Sequence, residues 1–156
     1  MLRPDPRLKQ PCRDVTSPER SELRAFVDRM VDIMYTDGGV GLAAPQVGWN
    51  IRVMIVDPSN GEVDIACRMM VNPVLKSVSL ERDVCLEGCL SLPREFYNVE
   101  RPVSAFASWQ DLDGKEHESL LIGIEARIFL HELDHLNGIL ISDIGTRATF
   151  RHREDR

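Results

Sequence analysis

The strongest constraint on this chain is a run of twelve residues, 127 to 138, reading Arg-Ile-Phe-Leu-His-Glu-Leu-Asp-His-Leu-Asn-Gly. His131 and His135 are four residues apart, so on a helix both imidazoles leave the same face one turn apart and can reach a single metal ion. This is the HExxH pattern, and Glu132 between the histidines is close enough to exchange a proton with a metal-bound water. The same spacing also suits a solvated amphipathic face, so the pattern needs partners elsewhere in the chain before it means chemistry.

With 156 residues the chain fits a single domain spanning 1–156, long enough to bury a core. A hydrophobic share of 43% and a charged share of 28% match a water-soluble globular protein. No apolar run is long enough to cross a membrane, and the proline-punctuated, charged start lacks a secretory signal, which leaves a cytoplasmic home as the expectation and an organelle open. The net charge of -6 excludes a broad basic face for nucleic acid. The basic residues Arg147, Arg151, Arg153 and Arg156 form a tail that reads as a solvated, frayed end. Four cysteines, Cys12, Cys67, Cys85 and Cys89, lack a disulfide framework spacing and read as reduced thiols.

Along the chain, an extended arm to about Asp14 precedes a start signal at Thr16-Ser17-Pro18-Glu19. The stripe Leu23, Phe26, Val27, Met30 and Met34 follows at helical spacing, and Gly38-Gly39 ends the helix. Val53-Met54-Ile55-Val56 reads as a buried strand, with a turn over residues 58–61. Short strands are expected at 67–72, 74–80, 103–109 and 116–122, the last two joined by a hairpin at Asp113-Gly114. Gly123 opens the final helix and Asn137-Gly138 closes it. The fold class is α+β: mainly antiparallel strands packed around a C-terminal metal-binding helix, with an additional N-terminal helix.

An open catalytic metal site takes three protein ligands and leaves a position for water. The metzincin pattern would supply a third histidine downstream, but that position holds Ile141, and Glu154 in the tail is the sole downstream glutamate. An endoprotease is therefore the runner-up. Upstream, Glu87-Gly88-Cys89-Leu90-Ser91-Leu92-Pro93 offers Cys89 in a glycine-flanked, strand-like segment, either as the third ligand or as a small buried hydrophobe. Cys85, about 13 Å away if the segment is extended, reads as core. A third stretch, residues 39–48, is rich in small residues that let a ligand approach the backbone, and Gln46 adds an amide. Alone it reads as a tight turn.

Together, Gly-Val-Gly-Leu-Ala-Ala-Pro-Gln at 39–46, Glu-Gly-Cys-Leu-Ser at 87–91 and His-Glu-Leu-Asp-His at 131–135 resemble the peptide deformylase family. The resemblance implies that Cys89, His131 and His135 bind one divalent metal ion, commonly ferrous iron, with zinc or nickel also able to occupy the site. It implies that Glu132 is the general acid/base and that Gln46 and the Leu90 amide stabilise an oxyanion. Val40 and Gly41 would bind the substrate backbone. Ile128 and Ile124, one and two turns before His131 on the same face, are apolar candidates for a methionine side-chain pocket, or simply core. The implied reaction removes the formyl group from N-formylmethionyl nascent peptides, with transient ribosome contact and neither a membrane nor a nucleic-acid target. Leu130 stands where many members have glutamine; helix geometry turns it toward packing rather than metal. Glu87 and Arg101 are expected to pair and brace the cysteine segment. A binding protein that keeps the metal only as a staple is a further alternative.

Overall fold

The N-terminal helix α1, Arg20–Thr36, begins where the sequence signals it. A short 3-10 turn, Ser17–Glu19, leads in, and the Glu19 carboxylate accepts a hydrogen bond from the Thr16 amide at 2.9 Å. That bond satisfies a donor the helix leaves open. At the other end Gly38 takes φ 70°, and the Gly39 amide reaches back to the Met34 carbonyl at 2.8 Å. This computed structural model describes residues 1–59 and 67–149.

Five strands form one antiparallel sheet: β1, Gly41–Ala43; β2, Val53–Val56; β3, Arg68–Val78; β6, Ser104–Gln110; and β7, Glu116–Ile122, in the order β1-β2-β3-β6-β7. The strands β4, Arg82–Cys89, β5, Leu92–Pro102, and β8, Thr146–Arg147, form a second antiparallel sheet in the order β4-β5-β8. Two helices close the chain, α2, Ile124–Leu136, and the short α3, Ile141–Ile144.

Alternation along β2 explains how the larger sheet is covered on both faces. Val53 and Ile55 pack with Leu23, Val27, Met30 and Met34 of α1, whereas Met54 and Val56 pack with Phe129, Leu130, Leu133 and Leu136 of α2. The four β2 residues are therefore buried on both sides, and the continuous apolar run follows from that. A third cluster joins Leu8, Leu92, Tyr97, Val99, Leu140 and Ile141 under the smaller sheet.

Several expectations shift. Residues 67–72 and 74–80 belong largely to one strand, β3, whose pairing to β6 shifts between Val71 and Val74, so the apparent break at Asn72-Pro73 is an irregularity within a strand. Asn72 sits there at φ 49°. The N-terminal arm is not extended: Pro6–Lys9 forms a 3-10 turn, and Leu8 is fully buried. Residues 39–48 are more than a turn, supplying β1 and a 3-10 helix, Ala44–Val47. Phe26 is only partly buried against α1's core, with its ring edge-on to Trp49. Cys85 is not core; it is half-buried, its thiol beside the Asp83 carboxylate at 3.8 Å. Leu130 is buried in the α2 core, as expected. The four cysteines are free thiols. No helix among the described residues is long and apolar enough to cross a membrane. Arg151, Arg153 and Arg156 of the tail, and residues 60–61 of the expected turn, lie outside the described residues.

Candidate metal centre

The site forms where α2, the end of β4, and the β1 segment meet. On α2 the four-residue spacing stacks His131 and His135, their ring centroids 5.2 Å apart. Cys89 arrives from β4 just after a register irregularity between Gly88 and Cys89, which re-aims the strand end toward the helix. The potential ligand atoms of Cys89, His131 and His135 lie within 4.8 Å of one another, and Cys89 Sγ is 3.2 Å from His135 Nε2.

Two imidazoles and a thiolate form a donor set suited to a divalent transition metal, and their convergence on one point fits such an ion. The Glu87 carboxylate receives His131 Nδ1 at 2.9 Å, leaving Nε2 to face the convergence point. Two arginines hold Glu87 in place. Arg101 bonds both of its carboxylate oxygens, at 2.6 and 3.0 Å, and Arg127 bonds Oε1 at 2.7 Å. Burial works against the charge on Glu87, but the hydrogen bonds from His131 and Arg101 win and hold its carboxyl at about 2. The pairing expected from sequence is thus a buried network rather than a surface contact.

Glu132 faces the same space and is 4% exposed, with Oε2 buried and without a hydrogen-bond partner among the described residues. Burial raises its carboxyl to about 7, although His131 and Arg101 pull the other way. Gly41 of β1 lies against it: a Cβ there would stand 2.6 Å from Glu132 Oε1 and 2.7 Å from Ile128 Cγ2. Only a glycine lets β1 approach the helix this closely.

Gln46 is held at both ends. Its Oε1 accepts from the Ala43 amide at 2.9 Å, and its Nε2 donates to Ser91 Oγ at 3.1 Å, with Cys89 Sγ 3.9 Å away. The amide N–H₂ is therefore directed at the metal end of the cleft. Val40, Gly41, Gln46, Leu90, Ile124 and Ile128 all border one cavity of about 540 Å³ with Cys89, His131 and Glu132. His135 is buried behind the histidine it follows, outside the cavity wall. Ile128 is 5% exposed and also packs in the α2 core, while Ile124 is 59% exposed at the mouth.

Sequence reasoning passed over Ser91, Asp134, Leu86 and Phe96. Ser91 lies within the cysteine motif, but its partner Gln46 is 45 residues distant. Asp134 bonds Arg101 at 2.8 Å, a contact set by strand register. Leu86 and Phe96 line the cavity from a hairpin whose length was not foreseen; alternation back from Cys89 through Glu87 would have turned Leu86 to the opposite face.

The description "polypeptide deformylase" belongs to the family model that matches residues 1–149. A peptide deformylase of Novosphingobium aromaticivorans is 40% identical over 159 residues, covering 90% of this chain and 84% of that protein. The crystal structure of peptide deformylase from Thermotoga maritima superposes with a TM-score of 0.85 at 38% identity, covering 92% of this chain and 93% of that one. A class I type b enzyme from Acinetobacter baumannii with Met-Ala-Ser bound gives a TM-score of 0.85 at 36% identity, with coverage of 92% and 94%.

Proposed function

The chain belongs to the peptide deformylase family and so is a metalloenzyme that hydrolyses the N-formyl group from newly made proteins, and on that premise we propose the role of each site residue. Cys89, His131 and His135 hold one divalent ion, with ferrous iron as the resident metal and zinc or nickel able to replace it. Ligand type does not discriminate among these ions, so availability in the cell decides. The observation that carries this reading is the convergence of the three ligand atoms beside a buried glutamate oxygen that lacks a partner.

Held by Cys89, His131 and His135, a divalent ion would supply Lewis acidity at this point, making water a stronger acid and a carbonyl a better electrophile. Glu132 takes a proton from the attacking water and later delivers it to the departing amide nitrogen as the C–N bond breaks, giving formate and a free amine. Gln46 Nε2 and the Leu90 amide donate to the developing oxyanion; each well-placed donor contributes about 3 kcal/mol in comparable acyl-transfer sites. Val40 and Gly41 pair with the substrate backbone in the manner of an added strand. The methionine side chain enters the cavity against Ile128, with Ile124 and Leu90 at its mouth, a placement supported by their shared lining of that space.

The substrate is an N-formylmethionyl nascent peptide, met during transient contact with the ribosome in the cytoplasm or an organelle. The whole of 1–156 acts as one catalytic domain. Formate release from formyl-Met-Ala-Ser, with iron protected from oxygen, tests the reading. Turnover of that peptide and none of Met-Ala-Ser is expected; cleavage of internal bonds in the unformylated peptide would favour the endoprotease instead. Metal binding without either activity would leave a staple.

A further inference from the structure

Arg127 is buried on α2, one turn before His131, and borders the same cavity, yet none of its described hydrogen bonds goes to the three candidate ligand atoms, and the proposed proton transfers do not use it. Its guanidinium instead reaches three separate places on the smaller sheet. Nη1 donates to Glu87 Oε1 at 2.7 Å and to the Val99 carbonyl at 3.1 Å; Nη2 donates to the Asp83 carbonyl at 3.1 Å and also pairs with the Asp83 carboxylate. It thereby ties α2 to both β4 and β5. Arg101, from β5, makes the reverse connection, bonding Glu87 and reaching Asp134 of α2.

These two crosslinks bracket His131, one turn before it and three residues after it. The metal ligands come from the same two bodies: His131 and His135 from α2, Cys89 from β4. Nothing else described joins α2 to β4 through a side-chain fork. The distance between the thiol and the imidazoles therefore depends on how α2 is registered against the strand. Resting on the metal-site reading above, we propose that Arg127 is a positioning residue, a planar clamp that sets the Cys89-to-histidine geometry and fixes the Glu87 carboxylate that orients His131.

A lysine would keep the charge but gather its three N–H donors on a single nitrogen, where the planar guanidinium spans three separated partners, so it cannot replace the fork. The two ends of the clamp differ: the Glu87 end is a buried ion pair, whereas Asp83, at the outer end, is half exposed and its charge is accessible to water. Residues that orient metal ligands from behind typically change metal affinity or activity by about 10–100-fold when removed.

The test uses the full chain stripped by a chelator and titrated with Co²⁺, reading the dissociation constant and the visible d–d and thiolate-to-cobalt bands. Arg127→Met and Arg127→Lys are expected to weaken Co²⁺ binding by about 10-fold or more and to shift the d–d bands, since ligand geometry changes. Because Arg127→Met leaves Glu87 and Asp83 short of a partner and could unfold, Asp83→Asn is the second variant. It loosens only the outer anchor at a half-exposed position, and a shift in the same direction, smaller in size, is expected. Unchanged affinity and spectrum in the folded variants would overturn the clamp while leaving the metal site intact. Full rescue by lysine would overturn it too, by reducing the role to charge. A wild-type chain that takes up no cobalt would instead sink the metal-site reading itself, and the clamp with it.

Discussion

Glu132 is poised between two demands that conflict. Its buried oxygen without a partner is a cost to the folded chain, and burial moves its carboxyl from 4.5 to about 7. A raised folded-state pKa means the proton is held more tightly in the folded chain than in the unfolded one. The penalty is absent below about pH 4.5, grows through the interval, and is complete above about pH 7. In the metal-free protein Glu132→Gln should therefore raise stability at pH 8 by on the order of 3 kcal/mol, and the gain should vanish by pH 4.5. Urea unfolding at the two pH values checks this; equal gains at both would mean the charge is not the cause. The same replacement, or Glu132→Ala, should abolish formate release with metal content retained, and full activity would remove Glu132 from the proton transfers. Gly41→Ala makes a sharper request. The new Cβ would collide with the Glu132 carboxylate, and because misplacement by about 1 Å can cost 10²-fold, kcat/KM should fall on that order while metal content holds. Retained activity would show that β1 can retreat.

At the level of elements, the helices were legible because their punctuation is local. Thr16 and Glu19 lie three residues apart, and the Gly38 and Gly138 stops sit beside the last turns they close. Leu130 could likewise be placed in the core from helix geometry alone. The paired strands β4 and β5 were not legible at their true length, because exposed Val84, Leu86 and Phe96 blur the alternation that marks a half-buried strand. Residues 39–48 looked like a turn because β1 is three residues long and needs β2 beside it to be a strand at all. Gly138 shows how an element end is tied to the rest. It adopts φ 75°, and a Cβ there would sit 2.6 Å from the Lys9 carbonyl. Gly138→Ala should lower stability by about 1–3 kcal/mol through strain and the displaced N-terminal turn. A shift in the urea midpoint reads this, and no shift would mean the Lys9 segment gives way freely.

For the whole molecule, the candidate ligands were visible because HExxH and the cysteine motif are each contiguous, whereas what holds them together crosses the chain. Arg127 to Asp83 spans 44 residues, Arg101 to Asp134 spans 33, and Gln46 to Ser91 spans 45. No local periodicity encodes such contacts; they exist only once β4 and β5 pair and α2 lies across them. The metal centre therefore joins bodies that fold around it. Loading with an ion that binds only the folded chain should stabilise it by about 2.7 kcal/mol at a free concentration 100 times the Kd, so stripping the metal should lower Tm. The gain should shrink as pH falls, because protons compete for the thiolate and imidazoles. An unchanged Tm on chelation would place the ions elsewhere or nowhere.

Glu87 and Cys89 occupy one strand two residues apart, on either side of the irregularity that aims the strand end. A hairpin that paired one residue out of step would turn both side chains away from α2 together, losing the third ligand and the brace for the first. Such a chain could still bury many of the same apolar residues and look folded by its secondary structure. It would not take up metal. With the proposed ligand set, ion uptake would therefore separate correctly matched molecules from their near misses, a distinction that hydrophobic collapse alone does not make.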